Sequence, residues 1–254
     1  MQTLMKYLLI ASTIIVLGFS CTLTDTTSVG SGDAISGSIT KFKVVNDFLY
    51  VIDGSSLRTF SLDDPAHPTD HKTTEIGFGP ETLFALGDIL FVGAQTGMYM
   101  FSIANPGAPS LISQYEHVLS CDPVVANSSR AYVTLRSGVE CRGRRISIAN
   151  ELHTIDITIA QHPQLMAAYP MQHPKGLGLN GDLLFVCDGD RGVIIFKVNE
   201  HGIPEEHSRI PGIEALDVIA NQSKLIVITR DQILQYDYSE INDIKLLSAL
   251  EHGA

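Results

Sequence analysis

An apolar triplet recurs along the chain, and several ionisable residues occur at the same number of positions before it. These ionisable residues are the best candidates for catalysis or binding. The triplets are centred on Tyr50, Phe91, Tyr132, Phe185 and Ile226. Counting ten and then nine residues back from each centre gives two series. The first series is Thr40, Glu81, Asp122, Lys175 and Leu216; the second is Lys41, Thr82, Pro123, Gly176 and Asp217. Four of these are candidate site residues: Glu81, Asp122, Lys175 and Asp217.

Two kinds of function fit this set, to which we add His117 and His173 on nearby loops. Carboxylates with histidines can hold a divalent cation such as Ca²⁺ through oxygen ligands. Glu81, Asp122 and Asp217 would then serve a metal-dependent hydrolase of lactonase type. A set that includes Lys175 can equally form a salt-bridged rim that binds a partner. We favour binding and expect neither enzymatic activity nor a resident cofactor, because no HExxH motif, Gly-rich phosphate loop or Ser-His-Asp order is found.

The elements that must position these residues repeat along the chain. The triplet centres are 41, 41, 53 and 41 residues apart. Around each triplet lie short β-branched and aromatic runs, separated by Gly, Asn-Pro or Asp-Pro turns, which are typical of antiparallel strands. Four short strands in about 40 residues are the pattern of a β-propeller blade. The sequence therefore predicts an all-β propeller of four-stranded antiparallel blades.

The number of repeats sets the expected number of blades. Five units fit between residues 39 and 250, so five blades are preferred and six, completed by irregular sequence, are the runner-up. A β-sandwich is the remaining alternative, although it would not require a fixed period. Unit one begins with an innermost strand and unit five ends with an outermost one. We therefore expect no strand exchange, and a ring that closes by packing of the first blade against the last.

Several segments also resemble the LVIVD-repeat lipoproteins of bacteria, over essentially all of residues 39–250. They are Ser120–Val125, Ala131–Gly138, Gly97–Tyr99, Gly176–Gly178, Phe185–Asp190 and Gln235–Tyr238. The resemblance implies a propeller carried on a lipid-anchored, secreted protein. It implies no activity.

Unit three is longer than the others, and the extra residues lie at about 138–150. Cys141 lies in the extra residues and Cys121 just before the unit's first strand, so antiparallel pairing brings them to one edge. A disulfide is favoured there over a metal pair, because no Cys-x-x-Cys is present. The insertion also gathers arginines on an acidic chain: Arg136, Arg142, Arg144 and Arg145. They form either a contact for an anionic partner or a solvated loop, and we prefer the loop.

The N-terminal region is predicted to direct export of the protein. Residues 1–20 contain Lys6 and an apolar run from Leu8 to Gly18, which is typical of a signal peptide. The residues before Cys21 resemble a bacterial lipobox, so we expect Cys21 to be lipidated. Residues 21–38 then form a flexible tether and residues 39–254 the propeller. The prediction is an exported envelope lipoprotein, anchored to the outer membrane on a side that the sequence does not specify.

The net charge of the chain argues against nucleic acid as a partner. The formal net charge is −11 and the isoelectric point is about 5.1. Nucleic-acid binding needs a basic surface, so it is not expected. The expected partners are therefore the membrane, through Cys21, and a protein, a glycan or another surface component. No oligomeric state is predicted.

Overall fold

A computed structural model describes residues 38–77, 79–116, 123–137 and 150–252, together with the backbone of residues 140–141 and 144–145. The predicted signal peptide, Cys21 and nearly all of the predicted tether lie outside the described residues. Ser38, the last tether residue, lies inside them. Within the described residues, no helix is both long and apolar enough to span a bilayer.

Five four-stranded antiparallel sheets form the propeller, as the repeat predicts. Blade one contains β1 (Phe42–Val45), β2 (Phe48–Asp53), β3 (Ser56–Ser61) and β4 (Thr69–Glu75). Blade two contains β5 (Pro80–Leu86), β6 (Ile89–Ala94), β7 (Gly97–Ser102) and β8 (Ser110–Glu116). Blade three contains β9 (Val124–Ala126), β10 (Arg130–Leu135), β13 (Glu151–Asp156) and β14 (Gln164–Pro170).

The other two blades repeat this order. Blade four contains β15 (Pro174–Asn180), β16 (Leu183–Asp188), β17 (Val193–Val198) and β18 (Pro204–Ile210), with a 3₁₀ turn at Gly189–Arg191 between its second and third strands. Blade five contains β19 (Asp217–Asn221), β20 (Lys224–Ile228), β21 (Gln232–Asp237) and β22 (Lys245–Glu251). The insertion of blade three holds a small hairpin of β11 (Glu140–Cys141) and β12 (Arg144–Arg145).

The same irregularity recurs between the third and fourth strands of every blade. Each pair shifts register in the middle of its third strand. The shifts fall between Thr59 and Phe60, Met100 and Phe101, Thr154 and Ile155, Ile195 and Phe196, and Gln235 and Tyr236. A β-bulge increases local twist, so the outermost strand of every blade turns in the same way.

Apolar residues of successive blades pack face to face in four buried clusters. They join blade one to two, two to three, three to four and four to five. In blades one to four the centre of the triplet faces the following blade, and in blades two to five its two flanking residues face the preceding one. In blade two, for example, Phe91 packs against blade three, while Leu90 and Val92 pack against blade one.

Ring closure differs from the prediction. The absence of strand exchange is confirmed for the described residues, because each sheet consists of strands from one unit. However, no buried apolar cluster among the described residues joins blade five to blade one. Phe42 is 60% exposed on blade one and Leu250 is 63% exposed on blade five. The expected packing of the first blade against the last is therefore not found among the described residues.

Candidate functional site

A cavity of about 550 Å³ opens at one mouth of the central channel and is lined by all five blades. The entries to the innermost strands supply most of its walls. Its lining residues are Ile39, Thr40, Lys41, Glu81, Thr82, Pro123, Arg136, Pro174, Lys175, Leu216, Asp217 and Ile228. Eight of the ten residues in the two counted series are therefore brought together here.

Asp217 is the first residue of β19, and its carboxylate is buried and hydrogen-bonded. Ser38 donates its hydroxyl to Oδ1 at 3.0 Å, and the backbone N–H of Ile39 donates to Oδ2 at 3.4 Å. The Ser38 Oγ also accepts the N–H of Leu177, in blade four, at 2.8 Å. Burial raises the pKa of Asp217, and the hydrogen bonds from Ser38 and Ile39 act in the opposite direction. The chain entering blade one is thus held to blades four and five.

Gly176 allows β15 and β19 to approach closely beside this carboxylate. Its N–H donates to the carbonyl of Leu216 at 3.0 Å. A Cβ at position 176 would lie 2.1 Å from Asp217 Oδ1 and 2.7 Å from Asp217 Cα. No larger side chain fits without moving the backbone of β19, so the glycine is a packing requirement of the mouth.

Lys175 forms an ion pair at the rim. Its Nζ donates to Glu214 Oε1 at 2.9 Å, and its side chain is only 12% exposed. The hydrogen bond from Lys175 and its charge lower the pKa of the Glu214 carboxyl. The backbone carbonyl of Lys175 accepts the hydroxyl of Thr134, from blade three, at 2.7 Å. Lys175 thereby links blade three to the segment that leads into blade five, and Glu214 balances its charge.

Glu81 and Arg136 complete the charged part of the lining. Gln95 donates its side-chain amide to Glu81 Oε1 at 3.4 Å, and the Gln95 side chain is itself buried. Arg136 follows β10 and is half-buried at the start of the blade-three insertion. With Lys41, the described residues contribute three cationic side chains and two carboxylates to the lining of the cavity.

Other predicted site residues lie elsewhere or are not described. His173 is exposed and does not line the cavity; its backbone N–H donates to Asp188 Oδ1 at 2.8 Å. His117, Asp122, Arg142, Cys121 and Cys21 lie outside the described residues. The side chains of Cys141, Arg144 and Arg145 do too, so the proposed disulfide and most of the arginine patch stay predictions.

The acidic turn after β16 has a structural role. Asp188 is fully buried, and its Oδ1 accepts the N–H groups of Gln172 and His173 at 2.8 Å each. Its Oδ2 lies 3.3 Å from the guanidinium of Arg191. The neighbouring thiol of Cys187 is fully buried, and burial raises its pKa, so it is protonated and shielded from solvent.

Sequence reasoning missed Ser38, which it placed in the tether. Ser38 is 1% exposed and bridges Asp217 to Leu177. No local signal distinguishes it, because it belongs to a run rich in Thr, Ser and Gly. Among the described residues, no group of three or more His, Cys, Asp or Glu side chains is placed to hold a metal ion.

Comparison with known proteins shows the fold alone. No protein-family model matches the chain, and no curated protein matches it. The chain is similar to a functionally unknown protein from Desulfotomaculum acetoxidans, with a TM-score of 0.64 and 12% identity over 82% of this chain and 67% of that one. A protein from Lactobacillus plantarum gives a TM-score of 0.61 and 12% identity, over 82% and 69%.

A third similar structure is the periplasmic gluconolactonase of Pseudomonas aeruginosa. Its TM-score is 0.62, and it is 13% identical over 82% of this chain and 68% of its own. These neighbours support membership of the propeller fold. The LVIVD-repeat family remains a prediction from the residues.

Proposed function

We propose that the protein is a non-enzymatic binding module of the cell envelope, and that its channel-mouth cavity receives an acidic glycan component such as a uronic or aldonic acid. A propeller displays loops on a rigid scaffold, and its mouth is where such loops converge. A cavity of about 550 Å³ lies within the range of ligand sites for small molecules.

One observation carries this proposal: on a chain whose net charge is −11, the described lining of the cavity holds the cationic side chains of Lys41 and Arg136 besides Lys175, whose charge Glu214 balances. The described carboxylates of the lining are Glu81 and Asp217. The carboxylate of Asp217 already accepts hydrogen bonds from Ser38 and Ile39. A guanidinium pairs in bidentate fashion with a carboxylate, so Arg136 is the residue best suited to bind the acid group.

The runner-up is a metal-dependent hydrolase of lactonase type. Glu81 and Asp217, two of its three predicted ligands, do line one cavity, and one structural neighbour is named a gluconolactonase. Against it, Ser38 occupies Asp217 Oδ1, and burial already favours the protonated acid at Asp217. A cation would have to displace these contacts, whereas an acidic ligand would not.

Export by a signal peptide and attachment through a lipidated Cys21 belong to the same proposal. The neighbour from Pseudomonas aeruginosa is named periplasmic, which agrees with an exported propeller. The apolar run at Leu8–Gly18 and the cysteine that follows it support processing at this point. Outer-membrane attachment would place the cavity among envelope glycans.

Calorimetric titration with galacturonate tests the proposal in the mature protein. We expect Arg136→Gln to weaken binding at least tenfold, because an ionic hydrogen-bonding partner is lost. Lys245→Gln is the matched control: Lys245 lies on the outermost strand of blade five, is 67% exposed and pairs with Asp243. Equal affinity in the two variants would contradict the assignment of the cavity. Hydrolysis of gluconolactone that requires added Ca²⁺ and is lost in Asp217→Asn would favour the runner-up.

A further inference from the structure

The residues that lead into blade one join two blades that are not neighbours. At one end, the Oγ of Ser38 accepts the N–H of Leu177, in blade four, at 2.8 Å. At the other end, the carbonyl of Thr40 accepts the N–H of Leu83, in blade two, at 2.8 Å. We call residues 38–41 the strap. The strap therefore passes along one side of the channel mouth, between blades four and two.

Hydrogen bonds, and little apolar burial, hold the strap in place. The Ser38 hydroxyl and the Ile39 N–H donate to the two carboxylate oxygens of Asp217, at 3.0 and 3.4 Å. The Thr40 hydroxyl donates to the carbonyl of Leu83 at 3.3 Å. Ile39 is the strap's only aliphatic residue and is 46% exposed, and no strap residue belongs to the four buried apolar clusters. Opening the strap therefore breaks a few hydrogen bonds and leaves the packing between the blades intact.

The strap is also part of the cavity wall. Ile39, Thr40 and Lys41 line the cavity, and Lys41 is one of the lining cations suited to an acidic ligand. Opening the strap would remove both this cation and part of the wall. A ligand that contacts Lys41 therefore binds the closed strap more tightly than the open one. Such a ligand shifts the equilibrium toward the closed state.

We propose that the strap opens and closes as one unit, and that an acidic ligand in the cavity holds it closed. The first part rests on the hydrogen bonds at the two ends of the strap. Only Ile39 separates Ser38 from Thr40, so the loss of one attachment frees the backbone that carries the other. The second part rests on the proposed function, since it requires an acid to bind in the cavity.

Amide hydrogen exchange, followed by NMR on the protein purified from the cell that makes it, tests the strap. The amides of Leu83 and Leu177 report its two ends, and the amide of Gly176 bonds to blade five instead. We expect Leu83 and Leu177 to be protected to a similar degree and Gly176 at least tenfold more. Ser38→Ala should speed exchange at Leu83 at least tenfold, and Thr40→Val should do the same at Leu177, although neither side chain bonds to the amide that it affects.

A matched variant and a matched ligand control these measurements. Ser248→Ala removes an exposed hydroxyl that donates to Gln235 at 3.3 Å on the outermost strand of blade five, and it should change neither rate. Galacturonate at about 100 times its dissociation constant should slow exchange at Leu83 and Leu177 about 100-fold, because it binds only the closed strap. Galactose at the same concentration should leave both rates unchanged.

Different results overturn the two parts of the proposal. If Ser38→Ala speeds exchange at Leu177 alone, or if Leu83 exchanges as slowly as Gly176, the strap does not open as one unit. If galacturonate binds by calorimetry and slows neither amide, the ligand does not hold the strap closed. The absence of any binding would instead contradict the proposed function, and exchange in Ser38→Ala and Thr40→Val would still decide whether the strap opens as one unit.

Discussion

A single buried carboxylate shows how the mouth of this propeller is built. Asp217 opens the innermost strand of blade five, yet Ser38 and Ile39, which precede blade one, supply two of its hydrogen bonds. Ser38 then reaches blade four through the N–H of Leu177. These bonds fix the entering chain at the mouth, although blades five and one share no buried apolar cluster in the described residues.

The buried carboxylate predicts a pH dependence of stability. The pKa of Asp217 is raised above its usual 3.8, so the folded protein binds more protons at this residue than the unfolded chain does. Its contribution to the free energy of unfolding is therefore largest at low pH and falls as the pH rises through the raised pKa. Urea titrations between pH 4 and 7 should show wild type losing stability relative to Asp217→Asn as pH rises. A difference that is constant or grows with pH would contradict this.

At the scale of elements, the sequence predicted the repeating strands well and their surroundings less well. Leu90, Phe91 and Val92 are fully buried in β6, as an apolar triplet predicts. The counted positions also converge, because equivalent residues in repeated blades occupy equivalent places around a channel. His173 was misplaced because its loop turns toward Asp188 instead of the cavity.

Ring closure could not be read from the sequence for a physical reason. The apolar pattern is the same in all five units, whereas the number of blades per turn depends on the angle at which neighbouring blades pack. That angle is set by side-chain volumes on two facing sheets, which periodicity does not report. Ser38 was missed for a different reason, since its role arises only from a contact 179 residues away.

Gly176 gives a prediction at the element scale. Gly176→Ala should lower the free energy of unfolding by about 2 kcal/mol or more, because the new Cβ would overlap Asp217 backbone and side-chain atoms. Gly178→Ala, two residues along the same strand, is the matched control: its Cβ would lie 3.1 Å from the nearest atom. Chemical denaturation should show a clearly larger loss at position 176. Equal losses would mean that β15 and β19 are farther apart than described.

The whole molecule is a series of five blades, and among the described residues blades one and five share no buried apolar cluster. This arrangement predicts unequal costs of core mutations. Leu57→Ala removes a fully buried side chain between blades one and two and should cost about 2–5 kcal/mol. Phe42→Ala removes a larger side chain that is 60% exposed and should cost under about 1 kcal/mol. Equilibrium unfolding of both variants measures this; a cost at Phe42 as large as that at Leu57 would mean that the ring is closed.

Charge also acts at the scale of the whole molecule. The net charge of −11 repels anions at long range, so an acidic ligand gains affinity only where local cations overcome that field. Arg136 and Lys41 are such cations at the mouth, whereas Glu214 balances the charge of Lys175. A neutral sugar of the same size cannot use this charge.

The most direct test of the proposed function therefore compares galacturonate with galactose by calorimetry, on the mature wild-type protein and at low ionic strength. The two sugars differ only in the acid group that the lining cations are expected to bind. The proposal predicts that galacturonate binds at least tenfold more tightly, and that added salt reduces the difference. Equal affinities, or tighter binding of galactose, would contradict a cavity built for an acidic ligand.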